Sequence, residues 1–256
     1  MKKANKTNKA RAMRLVPFSR SPVSIIIPFH GEYERVGRLV SSIWNATRSN
    51  PYEICLVDDC SPNSDFIASM KDQPQVTNLR TPERLGFGGA LKYGFDRTEQ
   101  PWVCFLNSDC EIKDVNWLIA MGQSLLDLKE QGVRMVSSRT NNPGNLGDKR
   151  LKGKKGDFIN DVILEDTYLP LYCSMCHRDL FNHIGGFIKP YPYGWYEDEE
   201  LAYRMRHYGF KQAISGKSWV HHEGSVTVKT VLKNDLKAKE IMISNRDKCI
   251  ADISSL

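Results

Sequence analysis

Several groups of side chains in this 256-residue chain have types and spacing suited to chemistry. Asp58-Asp59 follow the apolar run Glu53–Val57, and Asn107-Ser108-Asp109 follow Trp102–Leu106. A carboxylate just past a buried strand lies at the carboxyl end of a sheet, where open α/β sheets bind ligands. It can accept hydrogen bonds from a nucleoside there, or hold a divalent cation through oxygen. It can equally form a turn or cap a helix, and Asp58-Asp59-Cys60-Ser61-Pro62 has the composition for both. Glu197-Asp198-Glu199-Glu200 follows the aromatic stretch Tyr191-Pro192-Tyr193-Gly194-Trp195-Tyr196. Acids in a first helical turn complement the macrodipole. Aromatic walls would also raise a carboxyl pKa, as a general base requires, and their faces suit sugar rings. His221-His222, at the end of a strand-like run, joins these carboxylates as a candidate metal ligand.

Other groups point less sharply. The glycines of Glu83–Ala90 (ERLGFGGA) let backbone approach a ligand, but the spacing is not the G-x-G-x-x-G fingerprint. The full P-loop pattern G-x-x-x-x-G-K-[ST] does not occur either. Cys173-x-x-Cys176 lacks a second pair at zinc spacing, so both read as structural thiols. Lys149, Arg150, Lys152, Lys154 and Lys155 read as a solvated loop, or as cations that approach a diphosphate on closure.

The elements that must position these groups alternate. Val23–Pro28, Glu53–Val57, Val76–Leu79, Trp102–Leu106 and Val133–Ser137 are strand-like runs. Helical stripes lie between them: Val36, Leu39, Val40, Ile43 and Trp44; then Phe66, Ile67 and Met70; then Ala90 to about Arg97; then Leu118, Met121, Leu125 and Leu128. The pattern predicts an α/β fold, a mostly parallel Rossmann-like sheet with helices on both faces. A smaller mixed acceptor-side region follows, with a strand over Tyr168–Met175, a short helix at Arg178–Ile184, and an acid-led helix from Glu197. A strand over Lys211–His221 and a last helix over Val231–Ile250 complete it.

Composition is that of a globular chain, 41% hydrophobic and 26% charged. Residues 1–20 carry seven basic side chains and no acid, so the +6 net charge leaves −1 for the body. The basicity therefore marks a solvated tail with at most peripheral contact to an anionic membrane, and no dedicated nucleic-acid binder. Apolar runs fall far short of the roughly 20 residues that span a bilayer, and no signal-peptide core follows the tail. With seven cysteines, an odd number, some inside apolar runs, the expectation is reduced thiols in a cytoplasmic, soluble protein.

Taken in order, the motifs resemble the family-2 inverting glycosyltransferases with a GT-A fold. Ser24–Phe29 looks like the first strand, and Val57–Ser61 like V-D-D-x-S. Leu85–Ala90 is similar to L-G-F-x-x-A/G, and Phe105–Asp109 to the strand bearing D-x-D. Gly185-Gly186-Phe187, Glu197–Leu201 and Arg204 match G-G-F … E-D-x-D-L-x-x-R, and Val220–Ser225 looks like H-H-x-G-S. The D-x-D position reads Asn107-Ser108-Asp109, a single carboxylate.

The resemblance implies a nucleoside diphosphate sugar donor, a UDP-sugar, and a glycan or other hydroxyl acceptor. Asp58 would bind the base with Asp59 nearby, and Pro28, Gly86, Phe87, Gly88, Asn107 and Ser108 would line the donor site. Asp109 with His222, or His221 in its place, would hold Mn²⁺ or Mg²⁺. Asp198, or next Glu197, would be the base, and Trp195 and Tyr196 would meet the acceptor. It also implies a layout: a disordered tail at 1–21, a nucleotide-sugar half at 22–138, an acceptor-side half at 139–228, and a C-terminal helix at 229–256. The alternatives are a catalytically silent saccharide-binding protein on the same fold and a sugar-phosphate nucleotidyltransferase. The latter would need a G-x-G-T-R-L-type loop where this chain has Pro28-Phe29-His30-Gly31-Glu32.

Overall fold

The computed structural model describes residues 21–47, 50–144, 148–192, 194–224 and 236–256. Of the expected basic tail, only Ser21 falls among them.

Apolar, β-branched runs form the sheet's centre. β1 (Val23–Phe29), β2 (Tyr52–Asp58), β3 (Val76–Arg80) and β4 (Trp102–Leu106) are parallel neighbours in the order β3-β2-β1-β4. Every residue of β1 and β4 is buried, as expected of strands covered on both faces. The amphipathic stripes give α1 (Tyr33–Ala46) and α4 (Trp117–Asp127), and shorter segments give α2 (Asp65–Ser69) and α3 (Gly86–Phe95). The glycine-rich segment, expected as a loop before a helix, forms the first turns of α3 itself. Gly94 lets α3 lie close on the sheet, since a methyl there would sit 2.7 Å from Ile26 Cγ2 and 2.8 Å from Val57 Cγ2.

Past β4 come β5 (Cys110–Glu111), β6 (Val133–Thr140), β7 (Val162–Leu164), β8 (Cys173–His177), α5 (Leu180–His183), α6 (Glu197–His207), β9 (Lys211–His222) and α7 (Leu236–Ser254). The sheet continues β4-β8-β6-β9-β5, with β7 also on β9. β8 is antiparallel to β4 and β6, whereas β9 is parallel to β6. β9 pairs Cys110 with His222 at its far end.

The strand expected over Tyr168–Met175 starts instead at Cys173. Pro170 has no N–H for a ladder, and the Leu169 N–H goes to Gln212 Oε1 at 3.0 Å. β5 and β7 were not foreseen, because two or three residues carry no periodic signal. The last helix begins at Leu236, and residues 231–235 of its expected span lie outside the described residues. Among the described residues, no helix is long and apolar enough to cross a membrane.

Gly94→Val should destabilise the fold by at least about 1–3 kcal/mol through overpacking between α3 and the sheet. A thermal melt would read this as roughly 2–4 °C per kcal/mol.

Candidate active site

At the carboxyl ends of β1 and β2 the backbone is tied together. The Asp59 N–H donates to Phe29 O at 2.8 Å, His30 Nδ1 lies 2.8 Å from Asp59 O, and the Gly31 N–H donates to Ser61 Oγ at 2.8 Å. Pro28 is buried one residue earlier, paired with Val57. Asp58 is fully buried; its Oδ1 accepts the Ser61 N–H at 2.8 Å and its Oδ2 accepts Arg80 Nη1. Arg80 also donates to Ser61 O at 2.6 Å. Asp59 turns toward α3, accepting Leu85 N–H at 2.7 Å, Gly86 N–H at 2.9 Å and Thr81 Oγ1 at 3.1 Å. It thus satisfies two of the amides that a helix start leaves open.

Two strands further across the sheet from β1, β8 begins where β4 ends, and Tyr172 O accepts the Asn107 N–H at 2.8 Å. This brings Asp109 against the end of β9, with Asp109 Oδ1 3.2 Å from His222 Nε2. His222 stacks on Tyr172, ring centroids 4.9 Å apart and planes 16° apart. Its Nδ1 lies 2.7 Å from Asn142 O, which can only accept, so Nδ1 carries a proton. Asn141 brackets the same residue, donating to His222 O at 3.0 Å and accepting its N–H at 2.8 Å. Burial raises the Asp109 carboxyl pKa, but hydrogen bonding and charge from His222 outweigh it and hold the group below its ordinary value. For His222 burial acts downward, and the Asp109 hydrogen bond and charge more than reverse it.

Donor atoms of Asp109, Cys110 and His222 lie within 4.8 Å of one another. Neutral His222, with its proton on Nδ1, would turn an Nε2 lone pair on a carboxylate oxygen. Two acceptors at that distance need a cation between them, a proton or a metal, so the pair fits a divalent ion. Burial keeps the Cys110 thiol protonated, and its Sγ faces Tyr172 O at 3.4 Å.

The acids at the head of α6 form a third cluster. Gly194, Trp195 and Tyr196 all have left-handed backbone, at φ 103, 72 and 75°. For the two aromatic residues this costs on the order of 1–3 kcal/mol each. α7 holds the segment: buried Asn245 donates from Nδ2 to Pro192 O and Gly194 O, both at 2.8 Å. Asp252 accepts Tyr191 Oη at 2.9 Å and pairs with Lys189 at 3.1 Å.

Glu197 then lies against Gly88, where a Cβ would come within 3.2 Å of Glu197 Cγ. Among the described residues its Oε1 is buried without a hydrogen-bond partner. Burial, then the charge of Asp198, pushes its carboxyl up to about 8. Burial pushes Asp198 up to about 7, with the Leu171 N–H offsetting part of the rise, although the residue keeps an opening to solvent. Glu200 is different. It accepts Arg204 Nε at 2.7 Å and Nη2 at 3.0 Å, and Arg204 also holds Ile184 O, Gly186 O and Phe187 O.

The sequence profile of Glycosyl transferase family 2 matches residues 24–185. The chain belongs to that family. A 118-residue stretch is 36% identical to polypeptide N-acetylgalactosaminyltransferase 14 of Homo sapiens, covering 45% of this chain and 20% of that protein. The chain thus spans only about a fifth of this relative. The fold is shared with the Pyrobaculum calidifontis mannosyltransferase PcManGT, solved with GDP-Man and Mn²⁺: TM-score 0.59, 16% identity, 80% of this chain and 58% of that one. It is also shared with GalNAc-T7, solved with UDP, GalNAc and Mn²⁺: TM-score 0.59, 18% identity, 79% and 44%. The mixed, mostly parallel sheet is therefore the GT-A fold of this glycosyltransferase family.

Within this family-2 chain, Asp109 and His222 meet directly, and Leu171–Tyr172 links them to Asp198. Asp58 and Asp59 lie across β1 and β4 from them, each with protein partners. Phe87 packs on the core and Gly88 on Glu197. Trp195 and Tyr196 are half-buried. Asn107 and Ser108 lead from β4 into the Asp109 turn, while His221 points its edge toward Trp219 and does not join the cluster. The sequence reading passed over Arg80, Tyr172, Asn141, Asn142 and Asn245. Arg80 alone had a signal, its place at a strand's carboxyl end.

Glu200→Ala would leave Arg204 buried without its counter-charge and should cost about 3–5 kcal/mol, read by denaturant unfolding. Unchanged stability would show that the carbonyls alone satisfy the guanidinium.

Proposed function

We propose that this chain transfers a sugar from a nucleoside diphosphate sugar, a UDP-sugar in the first instance, to an acceptor hydroxyl with inversion. The observation that carries the reading is Asp198. It is a desolvated carboxyl at a helix head, poised near neutral pH, on the same end of the sheet as Asp109 and His222. Family membership, and UDP or GDP-Man with Mn²⁺ in proteins of like fold, support it.

In this reading the nucleoside lies over the ends of β1 and β2 beside Pro28. Asp58, whose oxygens are already engaged, acts on the base by orienting Arg80. Asp59 shapes the Gly86-Phe87-Gly88 turn under the donor, and Asn107 and Ser108 line its other wall. Asp109 and His222 would hold Mn²⁺ or Mg²⁺, and the cation supplies positive charge against the departing diphosphate. Asp198 removes the acceptor proton as the hydroxyl attacks the anomeric carbon from the face opposite the leaving group, which inverts that centre. Trp195 and Tyr196 flank the acceptor, and Glu197, mostly protonated below about 8, keeps a second negative charge away from the base.

Asp198→Asn keeps the shape but cannot take the proton, so transfer should fall at least ~10²-fold while UDP binding persists. The wild-type rate should rise with pH through about 7, and the variant should lack that limb. The linked stability effect has the opposite sign. An acid with a raised folded-state pKa binds more protons folded than unfolded, so stability falls as pH climbs from about 4 to 7. Thermal melts of Asp198→Asn should be flatter across that window. Near-normal transfer by a folded variant would remove Asp198 from the role, and a retained anomeric configuration by proton NMR would overturn inversion.

For the metal, Mn²⁺ should raise the melting temperature of the UDP-bound protein, and Asp109→Ala should abolish that increment. Full activity in excess chelator would refute the requirement.

A further inference from the structure

The lysine-rich segment after β6 is a built surface. Arg139, on β6 and only 7% exposed, lies beneath it. Its guanidinium donates to Arg150 O at 3.2 Å, to Lys152 O at 2.8 Å and to Asp157 O. Trp219 Nε1 donates to Gly153 O at 2.9 Å, the Gly153 N–H donates to Thr140 O at 2.9 Å, and Thr140 and Lys152 form a parallel bridge. Gly153 lies close on the guanidinium: a Cβ there would come within 2.4 Å of Arg139 Nη2, so a side chain would displace it.

This scaffolding gathers charge. Residues 139–158 contain six cations (Arg139, Lys149, Arg150, Lys152, Lys154, Lys155) and two acids, Asp148 and Asp157, for a net +4. Asp148 pairs with Arg150 at 2.7 Å, and Asp157 Oδ2 accepts the Lys154 backbone N–H at 3.2 Å. Among the described residues Lys149, Lys152, Lys154 and Lys155 are exposed and form no ion pair. The nearby Asp161 is engaged by the Gly216 N–H at 2.8 Å. Carbonyl acceptors hold the shape and leave the positive field undiminished.

Position narrows what that field meets. The loop leaves β6 at Thr140, next to Asn141 and Asn142, which hold His222. The base-side residue Asp58 ends β2, four strands away in the order β2-β1-β4-β8-β6. At about 4.8 Å per strand that is roughly 19 Å, so the loop stands on the side away from the nucleoside.

We propose that this loop is the binding surface for an anionic acceptor, a saccharide chain bearing phosphate or carboxylate groups that lie on Lys149, Lys152, Lys154 and Lys155. The word acceptor rests on the transferase reading; the binding itself does not.

The test uses the full chain, whose basic residues at 1–20 are common to every variant. Fluorescence anisotropy measures binding of labelled oligogalacturonate, a phosphomannan oligomer and neutral dextran. The triple variant Lys152→Ser, Lys154→Ser, Lys155→Ser changes exposed side chains only. It should melt like the wild type, keep its UDP–Mn²⁺ stabilisation, and bind at least one acidic saccharide at least ~10-fold more weakly. Its slope of log Kd against log salt should fall by about two. Arg139→Met, if folded, should also weaken binding although the exposed cations remain. Whichever acidic probe binds assigns the anion.

Affinities within twofold of wild type in the triple variant would overturn the proposal. So would equal binding of dextran, or capture by phosphatidylglycerol vesicles or poly(U) RNA with no binding of either acidic saccharide. A chain that binds acidic saccharide through this loop but shows no UDP–Mn²⁺ effect keeps the inference and loses the transferase reading.

Discussion

Strand β8 runs against both its neighbours, so its first residues lie beside the last residues of β4 and the second half of β6, and the candidate site depends on that reversal. Leu106 pairs with Cys173, and Ser137 with Ser174. The segment just before, Leu171–Tyr172, therefore emerges at the ligand-binding end of an otherwise parallel run. One carbonyl, that of Tyr172, takes the Asn107 N–H and faces Cys110 Sγ; its ring stacks on His222, and its hydroxyl donates to Ser138 O. The Leu171 N–H faces Asp198. A parallel strand in this place would send those groups to the opposite end of the sheet.

The buried acids divide by whether their desolvation is offset. Asp58, Asp59 and Glu200 receive backbone N–H groups or an arginine, and each fixes a turn by doing so. Glu197 and Asp198 receive little, and burial raises both. Leaving such groups uncompensated weakens a fold, as does the left-handed backbone at Trp195 and Tyr196. α7 supports the strained segment through Asn245 and Asp252, so stability is drawn from one element to hold an uncompensated arrangement in another. The family profile ends at residue 185. The acids of α6, the His222 end of β9 and the α7 clamp all lie beyond it, in the part of the chain that completes the site.

Much of this was legible in the residues. Central strands and amphipathic helices announce themselves because burying a strand on two faces, or a helix on one, requires a continuous or a periodic apolar pattern. Asp58, Asp59, Asp109 and His222 stood out because acids and histidines at the ends of such runs fall at one end of a sheet, and Asp198 because it heads a helix behind an aromatic stretch. That periodicity also located α1, α4 and β9 to within a few residues.

The tertiary structure decided the partners. Nothing in a linear pattern says that the Asp59 carboxylate turns onto the start of α3 while Asp58 turns onto Arg80. Nor does it say that Asn245, some fifty residues downstream, fastens the strained turn before Glu197. Two-residue β5 and the capping of His222 by Asn141 and Asn142 are equally silent, because a single hydrogen bond has no periodicity. Sequence by itself determined which segments are buried and which residue types gather at the sheet's end, since hydrophobic burial follows composition and spacing. Which acid is neutralised and which is left poised depends on distances between residues far apart in the chain. Hydrogen bonds and desolvation act over a few ångströms, and only the folded chain sets those.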